Sequence, residues 1–172
     1  MKNVTLANEI NVYKTFNKNN KKILNDLKEF CKINNYSEKD FYKPMCLFNP
    51  YKNKDNVLKS FYEDTINEFL TFKKITKKFI ITHFWINVIV KNVSYGIHNH
   101  SENDFSLVHY LKFNTEEHKG TTFYKDEKKN NPCEVEVECA DVVIFDGKIN
   151  HEALPHNSKN IRITSALSFN LI

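Results

Sequence analysis

The chain has 172 residues and a formal net charge of +4, the size of one domain around a single sizeable core and too short for two ordinary ones. Its apolar share is 41%, and it contains no run of about 18 apolar residues that could span a bilayer. The first nine residues contain no apolar stretch of the length a secretory signal needs, so a cytoplasmic setting is expected.

Glu9 to Phe16 alternates in the manner of a short strand. Asn17 to Ile33 then places Ile23, Leu24, Leu27, Phe30 and Ile33 at helical spacing, which predicts an amphipathic helix. Tyr36 to Asn53 carries Pro44 and Pro50 and reads as a loop region, and Asp55 to Ile75 returns to helical spacing through Val57, Leu58, Phe61, Ile66, Phe69 and Leu70. From Phe79 the texture changes to short β-branched and aromatic runs: Phe79–Val90, Phe105–Phe113, Thr121–Tyr124, Glu134–Glu138, Val142–Phe145 and Ile161–Leu171. Turn signals at Asn130-Asn131-Pro132 and Asp146-Gly147 separate some of them. Helices followed by many short strands predict an α+β domain, an antiparallel sandwich or barrel with the helices packed on one outer face.

Lysines are interleaved with acids along most of the chain, so the positive balance reads as a solvated surface and does not indicate a nucleic-acid partner. Cys31, Cys46, Cys133 and Cys139 form no CxxC pair and are expected to be reduced thiols in or near the core. Of the 25 basic residues only Arg162 is arginine. A planar, forked, permanently charged group among so many lysines hints at a carboxylate to be gripped.

Tyr95-Gly96-Ile97-His98-Asn99-His100 ends a strand-like stretch, and residues two apart in a strand share a face, so His98 and His100 could chelate one ion. His151 is the candidate third ligand, because a buried strand and the Asp146-Gly147 turn could return the chain to the same edge. Arg162 heads the final strand, whose alternation puts Arg162, Thr164, Ala166, Ser168 and Asn170 on one face, small and polar enough to line a pocket.

The order His98-x-His100, His151 and an Arg 11 positions later, followed by Ile163 to Asn170, resembles the Fe(II)- and 2-oxoglutarate-dependent oxygenases over roughly Ile81 to Ile172. The likeness is nearest to the putative 2-oxoglutarate/Fe(II) oxygenase group with an HxH motif, through Ser106-Leu107-Val108-His109-Tyr110-Leu111 and, more loosely, Arg162-Ile163-Thr164-Ser165-Ala166-Leu167-Ser168-Phe169-Asn170. Asn150-His151-Glu152-Ala153-Leu154-Pro155 resembles the distal-histidine segment of prolyl 4-hydroxylases, a more distant likeness. The resemblance implies one oxygenase domain over residues 1–172, a helical part (1–78) before a double-stranded β-helix, or cupin-like jelly-roll, core (79–172). It implies Fe(II) on His98, His100 and His151, O2 as oxidant, and 2-oxoglutarate held by Arg162 and Tyr110. Trp85 and Asn87 match a Trp-x-Asn of the group, which implies that they line the pocket. The implied activity is a dioxygenase (hydroxylase) reaction on a peptidyl substrate, prolyl included, or on a small molecule, with release of succinate and CO2.

Two alternatives stand beside it. His100-Ser101-Glu102 is itself an HxE, so His100, Glu102 and His151 form a competing ligand set with the carboxylate that His98-x-His100 lacks. The chain could also be a metal-binding cupin-like protein or a three-histidine dioxygenase that does not use 2-oxoglutarate. His83, His109, His118 and His156 read as structural or solvated, Glu134, Glu136 and Glu138 as the solvent face of a strand, and Asp126 to Lys129 as a charged loop.

Overall fold

A computed structural model describes residues 1–6, 10–36, 46–125 and 131–172, with the side chains of 46 and 47 excepted. Its elements in chain order are β1 (Lys2–Thr5), β2 (Asn11–Phe16), α1 (Asn20–Ile33), β3 (Cys46–Phe48), α2 (Asp55–Phe72), β4 (Phe79–Ile89), β5 (Tyr95–His98), β6 (Phe105–Lys112), β7 (Thr121–Tyr124), β8 (Cys133–Glu134), β9 (Asp141–Asp146), β10 (Asn150–Ala153) and β11 (Arg162–Leu171). The strands form a seven-stranded sheet, β1-β2-β9-β6-β11-β4-β3, and a four-stranded sheet, β5-β10-β7-β8. Each pairing in both is antiparallel.

Period-2 alternation divides the larger sheet between two cores. Phe84, Ile86 and Val88 of β4, Leu107 and Leu111 of β6, Val142 and Ile144 of β9, and Ile163 and Leu167 of β11 share one buried cluster with α1 and α2. The alternate residues Val108, Tyr110, Val143 and Phe145 join Phe123 of β7 and Val12 of β2 in a second cluster. Burying one such aliphatic or aromatic side chain contributes roughly 1.5–3 kcal/mol, so two filled layers hold the sheets and helices together. A buried polar group lies between α2 and the sheet: Tyr62 Oη bonds Ser165 Oγ (2.6 Å) and His109 Nδ1 (3.2 Å).

Local sequence explains the helices. Ile23, Leu27 and Cys31 recur every four residues and are the buried apolar positions of α1. α2 stops at Phe72, short of the expected Ile75, because Lys74 takes φ 57°, which turns Ile75 N–H back onto Leu70 O (2.8 Å) and Lys74 N–H onto Thr71 O (3.0 Å).

Four other expectations need correction. The first 78 residues hold more strands than the one expected at Glu9 to Phe16, which is β2: β1 pairs with β2, and β3 pairs with β4 at the sheet's other edge. β3 lies inside the region read as loop, where a three-residue strand is too short to show a period. Glu134 to Glu138 is a strand only at Glu134. Its alternation persists, with Val135 and Val137 buried, but beyond β8 no ladder partner runs alongside among the described residues. Cys139 is exposed, whereas Cys31 and Cys133 are buried. Glu9, most of the loop region before β3, and Asp126 to Lys129 lie outside the described residues.

Candidate active site

The smaller sheet delivers two of the three histidines. His98 ends β5 and His151 lies on β10, and the two are directly paired residues of the ladder, with ring centroids 4.3 Å apart. Each ring is fixed in the same way: His98 Nδ1 lies 2.8 Å from Gly96 O and His151 Nδ1 lies 3.0 Å from Ile149 O. A ring nitrogen beside a carbonyl oxygen must carry the proton, so both Nε2 atoms keep their lone pairs, the form in which imidazole binds a metal.

His100 is not on the strand, contrary to the expectation that the pair shares one β face. β5 ends at His98, and a turn brings His100 to the other two, with centroids 5.0 Å from His98 and 5.3 Å from His151. The β9–β10 turn holds it there: His100 N–H donates to Gly147 O (2.7 Å) and Gly147 N–H donates to Asp104 O (3.1 Å). A β-carbon at Gly147 would stand 2.2 Å from Asn103 O and 2.6 Å from His100 O, so this close approach requires glycine. The Trp85 ring packs at 5.4 Å from that of His100.

One donor atom from each of His98, His100 and His151 lies within 4.8 Å of the others. Among the described residues this is the one such group of histidines, cysteines and acids; Glu102 is exposed and not part of it. Burial lowers the pKa of His151 to about 3 and that of His100 to about 4, with the neighbouring His98 adding to both shifts. Three imidazoles at this spacing fit a divalent transition metal, and their chemistry suits iron as it suits zinc or nickel.

The same cavity holds Arg162, whose side chain is 1% exposed. Its Nη1 donates to Lys119 O and its Nη2 to Leu154 O (3.0 Å), while Nε has no partner. Among the described residues no carboxylate pairs with it. Burial lowers its pKa to about 10, which leaves it charged at neutral pH. A buried guanidinium held only by neutral carbonyls is uncompensated, and an anion entering the cavity would supply the missing charge. Tyr110, beside it, donates to Thr121 Oγ1 (2.9 Å) and accepts from Thr121 N–H (3.0 Å). Its hydroxyl proton would have to leave Thr121 to reach a ligand. Thr164 and Ala166 line the cavity with Arg162, as the alternation of the last strand predicts, while Ser168 turns to Ser106 Oγ (3.1 Å).

The remaining histidines hold the scaffold. His109 is buried against Tyr62, His118 bonds Asn160 O (3.1 Å), His156 bonds Ile89 O (3.2 Å) and His83 is exposed beside Thr82 Oγ1. Sequence reasoning missed Gly147, whose signal was confined to a turn dipeptide, and expected Trp85 and Asn87 only to line a pocket, which both do. Asn87 lines the cavity with its Oδ1 buried and unpartnered.

No protein-family model matches the chain, and no curated protein does. Solved structures do. HygX from Streptomyces hygroscopicus, with nickel and 2-oxoglutarate bound, superposes with a TM-score of 0.68 at 8% identity over 92% of this chain and 82% of that one. The viral collagen prolyl hydroxylase of Paramecium bursaria Chlorella virus-1, in complex with 2-oxoglutarate, gives 0.56 at 17% identity over 94% and 96%. The fold is that of the 2-oxoglutarate–iron oxygenases. A member of that oxygenase family from Burkholderia pseudomallei gives 0.51 at 16% identity; there the match spans 59% of this chain and half, 50%, of the other. The double-stranded β-helix of such enzymes is the architecture expected from the second half of the sequence. Among the described residues no helix is long and apolar enough to cross a membrane.

Proposed function

We propose that the protein is an Fe(II)- and 2-oxoglutarate-dependent dioxygenase that hydroxylates a peptidyl, including prolyl, or small-molecule substrate. The observation that carries this reading is the uncompensated Arg162 guanidinium in the same cavity as the three-histidine cluster. A metal site alone has no use for a buried cation, whereas a dicarboxylate with one end on the metal and the other on Arg162 uses both.

His98, His100 and His151 would hold the iron from one side, leaving its other positions open to ligands. Arg162 would pair with the distal carboxylate, and Tyr110 would add a donor to it once its proton leaves Thr121. When bound, Fe(II) and 2-oxoglutarate supply an oxidant from O2 as the co-substrate is converted to succinate and CO2. Ile89, Val108, Phe145 and Ala166 line the cavity and limit the water that competes for that oxidant. The carbonyl bonds at His98 and His151 keep both rings in the ligating tautomer throughout.

The test is succinate formation from 2-oxoglutarate with added Fe(II), in the wild type and in Arg162→Met. Turnover in the wild type that collapses in the variant is the expected result; equal turnover in both would sink the proposal. A second reading has its own observation, the absence of a carboxylate from the ligand group. It is a three-histidine dioxygenase, or a metal-binding cupin-like protein, that does not use 2-oxoglutarate. Metal retention with no 2-oxoglutarate binding by the metal-loaded protein would favour it.

A further inference from the structure

We propose that Glu117 is a positioning residue for Arg162: its carboxylate clasps the two loops whose carbonyls hold the guanidinium, and the clasp sets the preference of the site for a dicarboxylate over a 2-oxo acid that lacks the distal carboxylate. This inference rests on the proposed use of 2-oxoglutarate. Arg162 reaches Lys119 O in the β6–β7 loop and Leu154 O in the β10–β11 loop. The β7–β10 ladder ends at the pair Thr121 and Ala153, so both carbonyls lie just beyond it, where the two chains part. Pro155 follows with no N–H to extend the pairing. Beyond that pair the loops depend on side chains.

Glu117 supplies the first tie. Its carboxylate accepts Asn160 Nδ2 at both oxygens (3.0 and 2.8 Å) and Ser158 Oγ (2.8 Å), while Ser158 Oγ in turn accepts Asn160 N–H (2.9 Å). These bonds, from Asn160 first and then Ser158, hold the Glu117 carboxyl below the usual carboxylate range, so it is ionised at neutral pH and each bond is charge-assisted. His118 adds a second tie. Its Nδ1 accepts Asn114 N–H (3.1 Å), so the ring proton sits on Nε2, which donates to Asn160 O (3.1 Å). Asn160 is gripped at side chain and backbone only two residues before Arg162, and the clasp fixes the entry of the arginine into β11 as well as its two carbonyl partners. The His118 ring packs on that of His156 at 4.6 Å, and His156 Nε2 donates to Ile89 O (3.2 Å), on the residue paired with Arg162 across the ladder. A guanidinium fork held at one angle has little ordering left to do when a carboxylate arrives, whereas a fork free to swing must be ordered by the ligand itself.

The experiment uses the full chain loaded with Co(II), whose visible absorption reports ligand binding at the metal without turnover. Two probes are titrated: 2-oxoglutarate, and 2-oxobutyrate, which shares the 2-oxo acid end and lacks the distal carboxylate. Wild type, Glu117→Ala, Glu117→Gln and Arg162→Met are compared, with Tm and metal affinity measured for each. Glu117→Ala should keep its metal affinity, bind 2-oxoglutarate about 10-fold more weakly and bind 2-oxobutyrate as the wild type does. Glu117→Gln keeps one acceptor oxygen for Asn160 and should fall between the two; if Glu117→Ala does not fold, this variant decides by the same ratio of affinities. Wild-type affinity for 2-oxoglutarate in both Glu117 variants would overturn the assignment, because the clasp would then not reach the arginine. So would an equal loss for the two probes, which a tie that only stabilises the fold would give. In either case the oxygenase reading stands if Arg162→Met alone loses the preference for 2-oxoglutarate. Absence of 2-oxoglutarate binding in the metal-loaded wild type would overturn both.

Discussion

His98 and His151 are direct partners across the β5–β10 ladder, and each keeps its Nδ1 beside the carbonyl two residues earlier in its own chain. The pair is thereby preorganised, whereas His100 arrives from a turn. His151→Ala should lower metal affinity by more than about 100-fold, since changing even a residue that only orients a ligand costs about 10–100-fold. His100→Asp should retain metal, because a carboxylate at that place completes the commoner two-histidine set. Isothermal titration with Zn(II) or Mn(II) reads both, and metal affinity surviving in His151→Ala would show that the cluster is not the site.

Arg162→Lys tests the fork as distinct from the charge. The guanidinium reaches Lys119 O and Leu154 O at once. One ammonium cannot hold both and still face a carboxylate. The expected outcome is a 2-oxoglutarate Kd raised about 10- to 100-fold in the metal-loaded protein, together with a lower Tm as the two loops lose their tie. A Kd within twofold of wild type would argue that only charge matters.

Gly147→Ala should act on the metal site without touching a ligand. The added methyl would meet Asn103 O at 2.2 Å and His100 O at 2.6 Å, both backbone atoms. The turn that presents His100 must then move. A destabilisation of about 1–3 kcal/mol is expected in chemical denaturation, with weakened metal binding. Unchanged metal affinity would mean that His100 follows the shift freely.

Burial holds the His109 pKa at about 3, against about 6.5 in an unfolded chain. Above pH 6.5 neither state binds the proton and the group contributes no pH dependence. As pH falls from 6.5 to 3 the unfolded chain takes up the proton and the folded one does not, so stability declines by up to about 1.4 kcal/mol per pH unit. In metal-free protein His109→Leu should flatten the slope of unfolding free energy across that window relative to wild type, the residual slope coming from the other buried imidazoles and from carboxylates such as Glu117, whose pKa hydrogen bonds from Asn160 and Ser158 lower. An identical slope in the two would show that His109 is solvated.

The grouping of the three histidines with Arg162 in one cavity was legible because each rests on a local sign: HxH spacing, a turn that returns the chain, and one arginine among lysines. Residues whose role depends on distant partners were not. β3 exists through β4, His100 is placed by Gly147 from 47 positions away in the sequence, and the burial of Asn87 Oδ1 without a partner is a property of the assembled cavity. The helices follow the same division, since their apolar periods were plain but the stop of α2 depends on one left-handed lysine.

β11 lies between β6 and β4 and pairs with both along most of its length. Until residues 162–171 arrive, the larger sheet has an open seam at its middle, and β2 must separately find β9 more than a hundred residues away, as Phe16 opposite Asp141 illustrates. Such wiring has high contact order, and loop-closure entropy is spent before the pairings repay it. Assembly should accordingly be slow, with the arginine and the cavity wall among the last parts to form. Metal present during refolding would meet histidines before it meets a finished pocket.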